Sequence, residues 1–362
     1  MKRIVSLLND EISKDPRASK FRDTLKKRYE VYSICSSFQN ECRSGADFIV
    51  KKCKRWGILA LFLYWIRAVF IVKKIKPDYI LAHDYFMALP GWIASKLFKK
   101  PLIYDAYEFY TPQRGVKMSK RDYFFFIIEK FVIKRSNLVF SANIERSRLM
   151  KSAYKLERLP VPVLNIPNYD HSIINKKIFN PHFITVVYEG YISYTRFVDL
   201  LVDSFEYLPG NYKLVFIGAG ADDDKLKKLI LSKDYNKRIE IKGRIDTKDI
   251  IPALSKCDIG FVGYPFTNLN NRFCSPNKIY EYPTAGIPFV STNQSTIWRI
   301  TNNYHICEYY DPKKDGAAGI AKAIQKIAEN YSDYVNNLIR FISDNKWDKE
   351  EIKILNSFDT LS

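Results

Sequence analysis

Cys274-Ser-Pro-Asn-Lys-Ile-Tyr-Glu-Tyr-Pro-Thr-Ala-Gly-Ile-Pro-Phe-Val290 reads as a short helix that turns into a buried strand. Ser275 is a good helix N-cap, and Pro276 suits the first helical position, where its missing N–H would have no partner anyway. Gly286 closes the helix and Pro288 starts the strand. A helix opening at Ser275 presents free amides and a positive dipole end to an anion, and Lys278 adds a full charge in the first turn. Glu281 lies one turn beyond Asn277 on the same face. Its carboxylate can accept two hydrogen bonds from a vicinal diol such as ribose. Together these groups describe a grip for a nucleoside diphosphate. The same residues also fit an ordinary capped helix with an exposed lysine and glutamate.

Working outward, short apolar runs alternate with helix-length segments. Before residue 165 the predicted strands are Ile4–Leu8, Val31–Cys35, Tyr79–Ala82, Leu102–Asp105 and Leu138–Ser141. The predicted helices between them are Ser19–Arg28, Trp56–Lys74, Met87–Phe98, Lys120–Lys134 and Ile144–Tyr154. The turn-rich segment Asn165-Ile-Pro-Asn-Tyr-Asp170 breaks the pattern and reads as a linker. Strands then resume at Ile184–Tyr188, Lys213–Ile217, Ile239–Lys242, Ile259–Gly263 and Pro288–Ser291. Runs apolar on both faces suit central parallel strands, and alternating βα units imply doubly wound sheets. The expected organisation is α/β with two Rossmann-like domains, 1–168 and 169–345, facing each other across a cleft. A C-terminal helix over about 346–362 is placed to pack back on the first domain. Ligands of such sheets bind at the carboxyl ends of the strands.

A chain of 362 residues suits two domains. Hydrophobic residues at 47% and aromatic ones at 15% exclude a disordered protein. Fifty-eight basic against 39 acidic residues leave a net charge of +19, which calls for an anionic partner. Nucleic acid is the weaker choice, because the basic residues are dispersed and no reading module is present. Two basic-aromatic stretches, Lys51–Arg67 and Lys117–Arg135, fit an anionic membrane surface as well as they fit sheet-covering helices with charged ends. Trp56–Val72 is interrupted by Arg67 and falls short of the roughly 20 apolar residues of a span. The apolar run near the N-terminus stops too early for a signal peptide and suits a buried first strand. The six cysteines have no zinc spacing and read as free thiols of a reducing compartment.

Other segments are less specific. Phe216-Ile-Gly-Ala-Gly220 is a strand followed by a glycine turn in which Gly218 and Gly220 let backbone pass close to a nucleotide, or simply form a βα turn. Arg244 after Gly243 is placed to flank a base. In the first half Asp15-Pro-Arg17, His83-Asp84, Asp105 and Glu108 follow strand ends, and His83 is the sole histidine there.

The segment at 274–290 resembles the signature of the family 4 GT-B glycosyltransferases, S-P-N-K-hydrophobic-aromatic-E-Y-x-x-x-G-hydrophobic-P. Lys76–Asp84, Pro101–Glu108, Val161–Asn168 and Tyr188–Arg196 resemble further segments of that family in the same order. The resemblance implies a metal-independent, hexosyltransferase-like enzyme without a cofactor. It would move a sugar with retention from a nucleoside-diphosphate sugar to a hydroxyl, with a lipid-linked surface glycan as acceptor. It further implies a cytoplasmic protein, peripheral on the inner face of the cell membrane. With the strand-end residues above, the expected donor site is Gly190, Arg196, Gly218, Gly220, Arg244, Ser275, Asn277, Lys278 and Glu281, and the expected catalytic residues are His83, Asp105 and Glu108. Three positions depart from the pattern: Tyr191 replaces an arginine, Phe273 a second glutamate and Tyr107 a histidine. Those departures also fit an inactive partner subunit.

Overall fold

Runs that are apolar on both faces form the central strands of two parallel sheets, one in each unit of the computed structural model. Residues 1–38, 42–44, 47–109, 111–113, 117–168, 178–235 and 237–361 are described, with 42–44 and Lys54 described by backbone alone. Unit 1 comprises Met1–Asn165 with Asp348–Ser362, and unit 2 comprises Ile166–Trp347. The linker expected at 165–170 thus contains the division, and its last two residues lie outside the described ones.

The strands of unit 1 are β1 (Arg3–Leu7), β2 (Glu30–Ser37), β3 (Cys42–Ser44), β4 (Asp47–Lys51), β5 (Tyr79–His83), β6 (Leu102–Ala106), β7 (Leu138–Ser141) and β8 (Val161–Pro162). Their spatial order is β3-β4-β2-β1-β5-β6-β7-β8, and only the β3–β4 pair is antiparallel. The sequence pattern does not reveal β3 and β4, because they are short and mixed in polarity. The helices are α1 (Pro16–Lys26), α2 (Gly57–Ile75), α3 (Asp84–Phe98), α4 (Lys120–Ile133) and α5 (Ile144–Tyr154). Helix α1 starts before the expected Ser19, because the Asp15 side chain caps it by accepting from the amides of Arg17 and Ala18. Helices α2, α3 and α4, which connect β4 to β5, β5 to β6 and β6 to β7, pack side by side, as the usual right-handed crossovers running one way along a sheet require.

Unit 2 contains β9 (Ile184–Glu189), α6 (Val198–Asp203), β10 (Tyr212–Ile217), α7 (Asp223–Ser232), β11 (Ile239–Gly243), α8 (Ile250–Leu254) and β12 (Ile259–Val262). It continues with α9 (Leu269–Arg272), α10 (Lys278–Thr284), β13 (Phe289–Thr292), α11 (Ser295–Thr301), β14 (Cys307–Tyr310), α12 (Gly316–Glu329) and α13 (Tyr331–Asp344). Its sheet is fully parallel, in the order β11-β10-β9-β12-β13-β14. The direction of winding reverses between β9 and β12, which opens a crevice at their carboxyl ends.

Helix α14 (Trp347–Asp359) then returns to unit 1. Glu351 accepts from Thr24 and Lys27, Asp359 pairs with Arg28, and Phe358 packs between Tyr29, Tyr79 and Phe140. Cys35, Cys53, Cys257, Cys274 and Cys307 are free thiols.

One carboxyl sits in the core of unit 1. Glu129 on α4 is buried, and its oxygens accept from the hydroxyls of Tyr104 (2.7 Å) and Tyr154 (2.6 Å). Burial pushes its pKa from 4.5 to about 7, against the lowering effect of the two tyrosines. The folded state therefore holds this proton more tightly than the unfolded chain, so stability is greatest below the unfolded value and falls as pH rises toward 7. At 1.36 kcal/mol per unit the loss amounts to about 3 kcal/mol. Glu129→Gln is expected to remove this slope. Urea unfolding of both proteins between about pH 5 and about pH 8 checks it: the variant should gain on the wild type as pH rises, and a pH-independent difference would refute the assignment.

Candidate functional site

The reversal between β9 and β12 gathers the polar residues of unit 2. Strand β9 ends at Glu189, and the chain turns at Gly190 with φ +119°. The loop that follows lies directly on glycines of its neighbours. A Cβ added at Gly218 would stand 1.9 Å from the Gly190 carbonyl oxygen, and one at Gly220 1.9 Å from that of Ile192. A Cβ at Gly263, just past β12, would stand 2.0 Å from the Arg196 carbonyl oxygen. The glycines at 218 and 220 thus make room for the 190–192 backbone. Three residues of 3-10 helix, Tyr194–Arg196, end the loop, with the Ser193 side chain accepting from the Thr195 amide.

Arg196 lies flat on Tyr264, its guanidinium carbon 3.8 Å from the ring centre. Its Nη1 is buried and has no hydrogen-bond partner. Lys278 approaches from the other side. Its Nζ stands 3.6 Å from Glu189 Oε2 and over the Tyr188 ring, and a Cβ at Gly190 would come within 2.5 Å of it. Burial opposes the charge on Lys278, but Glu189, Tyr264, Tyr188 and Tyr282 outweigh it and hold the pKa well above the ordinary lysine value. Tyr264 lies within the influence of both cations.

Helix α10 carries Lys278, and Tyr282 anchors it. The Tyr282 hydroxyl donates to the Phe261 carbonyl (3.0 Å) and accepts from the Glu189 amide (3.3 Å), while its ring covers Gly260. The helix opens later than the sequence suggests. Ile279 and Tyr280 donate back to Pro276 and Asn277, a tighter turn that precedes regular helix, so Asn277 stands at the cap position with no side-chain cap bond. Ser275 does not cap; its Oγ lies 3.4 Å from the Tyr280 hydroxyl. The helix is only seven residues long, and side-chain cations rather than a long helix dipole supply the positive charge. Glu281 sits one turn past Asn277, its amide donating to the Asn277 carbonyl, and is partly exposed. Gly286, with φ +78°, ends the helix as expected. Arg244 is exposed beyond β11, next to Gly243, whose carbonyl accepts from Gly218.

In unit 1 the corresponding reversal lies between β1 and β5, and a polar network fills it. Arg17 grips Asp105 through Nε (3.1 and 3.0 Å) and Nη2 (2.7 Å), and donates to the carbonyls of Val163 and Ser141. His83 Nδ1 stands 3.1 Å from Asp105 Oδ2 and 3.2 Å from the Tyr107 hydroxyl, which donates to Asp15. Burial raises the Asp105 pKa, but Arg17 and His83 outweigh it and keep the carboxyl below its ordinary value. Asp105 is 0% exposed. It is held by Arg17 and stands beside His83, and so orients both. His83 Nε2 is buried and unpartnered, and Glu108 is exposed. Among the described residues no group of three or more His, Cys, Asp or Glu could hold a metal ion.

Residues 171–343, just under half of the chain, match the family model described as glycosyl transferases group 1. The matched residues span nearly all of unit 2. The fold of the whole chain is that of solved GT-B structures. Sucrose-phosphate synthase from Thermosynechococcus elongatus matches with a TM-score of 0.78 at 13% identity, over 99% of each chain. HepE from Anabaena, solved with UDP and glucose, gives 0.76 at 14% identity over 99% of this chain and 100% of that one. WaaG, a glycosyltransferase involved in lipopolysaccharide biosynthesis, gives 0.71 at 11% identity over 97% and 98%. At these identities the likeness concerns the fold. No curated protein matches the chain in sequence.

In unit 2 Gly190, Arg196, Gly218, Gly220 and Lys278 lie at the crevice end of the sheet, with Asn277 and Glu281 at the start of and on α10. Sequence reading missed Glu189 and Tyr264. Glu189 adjoins Gly190, which it did single out, and Tyr264 follows the predicted strand Ile259–Gly263, but their roles depend on the neighbouring strand. Arg196→Ala is expected to weaken nucleoside-diphosphate binding by about tenfold to a hundredfold, the loss of a charge-assisted bond. Isothermal titration on a folded variant measures this, and an unchanged dissociation constant would remove Arg196 from the site.

Proposed function

We propose that the chain transfers a sugar from a nucleoside-diphosphate sugar to a hydroxyl acceptor, retaining the anomeric configuration and using no metal. The observation that carries this reading is the pair of cations at the unit 2 reversal. Among the described residues Arg196 Nη1 is buried without a hydrogen-bond partner, and Lys278 Nζ stands 3.6 Å from Glu189 Oε2. Such groups are costly unless an anion completes them. A diphosphate would do so, and as leaving group it would gain further from both charges as negative charge develops. HepE has been solved with UDP and MnaA of S. aureus likewise, which makes UDP-sugars the first donors to test. The acceptor side belongs to unit 1, where His83 Nε2 and Glu108 are the groups able to orient a hydroxyl, and a lipid-linked glycan is the proposed acceptor.

Glu281 is the proposed ribose ligand. Glu281→Ala should weaken binding of the free nucleotide by about tenfold or more, because two charged hydrogen bonds are lost, and Glu281→Gln should weaken it less. A thermal-shift and titration series with UDP, GDP and ADP decides. A variant that melts lower but binds nucleotide normally would make Glu281 a structural residue.

The proposed lipid acceptor requires a membrane surface, and unit 1 has a face suited to one. Among the described residues no helix is long and apolar enough to cross a bilayer. Yet the outer side of α2 exposes Ile58, Leu59, Ile66 and Phe70, and that of α4 exposes Tyr123 and Ile127. Arg67, Lys73, Lys74, Lys120, Arg121 and Lys134 border these groups in the same two segments. An apolar row with basic flanks fits peripheral docking on the inner face of the cell membrane. Sedimentation with vesicles should show binding that needs anionic lipid, falls in about 0.5 M salt, and falls again in Ile66→Asp/Phe70→Asp. Equal binding to neutral vesicles, or none, would refute the assignment.

A further inference from the structure

Unit 1 holds a pocket of about 490 Å³ where the carboxyl end of β4 meets the start of α2. Phe38, Lys51, Lys52, Trp56, Tyr64 and Arg67 line most of it, and Leu63 and Ile66 extend one wall along α2. Lys52 is 8% exposed. Its Nζ donates to the backbone carbonyl of Asn9 (2.9 Å) and to Asn9 Oδ1 (3.1 Å), and stands over the rings of Phe38 and Tyr64. All of these partners are neutral. Burial lowers the Lys52 pKa, against a smaller raising effect of Asp10. Lys51 is exposed at the rim, and neither lysine forms an ion pair among the described residues.

A buried ammonium with only neutral acceptors is incompletely compensated, and an anion would compensate it. The opposite character of the remaining wall limits what that anion can be. Trp56, Leu63 and Ile66 are apolar, and beyond them the exposed row of α2 continues through Leu59, Phe62 and Phe70. A small hydrated anion would leave that wall wet, whereas an anion on a hydrocarbon chain would cover it.

We infer that this pocket receives the phosphate end of a lipid-linked acceptor, with the hydrocarbon chain lying along α2. The inference rests on the lipid acceptor proposed above, but its ligand is distinct from the nucleotide. The test is isothermal titration of the full chain with farnesyl phosphate below its micellar concentration, beside inorganic phosphate and farnesol. Farnesyl phosphate should bind about tenfold or more tighter than either part alone. Lys52→Met, which keeps the packing, and Lys51→Glu, at the exposed rim, should each weaken it by about tenfold while UDP affinity stays unchanged. Equal binding of inorganic phosphate would make this a simple anion site, and equal binding of farnesol an apolar recess. Indifference to both lysines would also overturn the inference. Loss of UDP binding in the wild type with farnesyl phosphate binding intact would instead overturn the nucleotide-sugar reading.

Discussion

Backbone laid on glycine is the contact on which the unit 2 site depends. The loop from Gly190 to Arg196 can run where it does because Gly218, Gly220 and Gly263 have no side chain, and a Cβ at any of them would enter a carbonyl oxygen of that loop. The loop in turn fixes Arg196 on Tyr264 and leaves Gly190 beneath the Lys278 ammonium. Tyr282 fixes the other half by tying α10 to β9 and β12. Charge is thereby placed by packing: Arg196 and Lys278 both act on Tyr264, and one carboxylate, Glu189 at the end of β9, stands 3.6 Å from the lysine. Such preorganisation is what electrostatic stabilisation of a developing anion requires.

Unit 1 solves a similar problem with a buried ion pair. Arg17 and Asp105 are almost fully enclosed, and the cost of desolvating them is offset because each guanidinium nitrogen donates to the carboxylate or to the Val163 and Ser141 carbonyls. Asp105 has a second partner in His83, whose Nδ1 is thereby oriented and whose Nε2 is left over. Tyr107, which stands where the resembling family has histidine, enters the same network through its hydroxyl to Asp15 and His83. The departure from the family pattern is thus built into the polar network.

The net charge of +19 acquires meaning through its setting. Some basic residues are consumed by structure, as Arg17 is by Asp105 and Arg28 by the returning α14. Others meet apolar surface: Lys52 enters an aromatic-walled pocket, and Arg135 stacks on Phe131 at 3.8 Å. Composition alone treats these alike.

The two doubly wound units, most strand positions and the helix stop at Gly286 were legible in the sequence, because hydrophobic period and turn chemistry are local properties. The signature at 274–290 likewise marked Lys278 and Glu281. The tertiary structure alone decided that the helix opens at Asn277, with Ser275 beside the Tyr280 hydroxyl instead of capping. It alone decided that Gly218 and Gly220 admit the neighbouring loop, that Asp105 is sealed behind Arg17, and that Glu189 and Tyr264 belong to the site. Each of these depends on which strands become neighbours and on what a side chain meets across the sheet, and residues 28 to 88 positions apart in the chain carry no local trace of that contact.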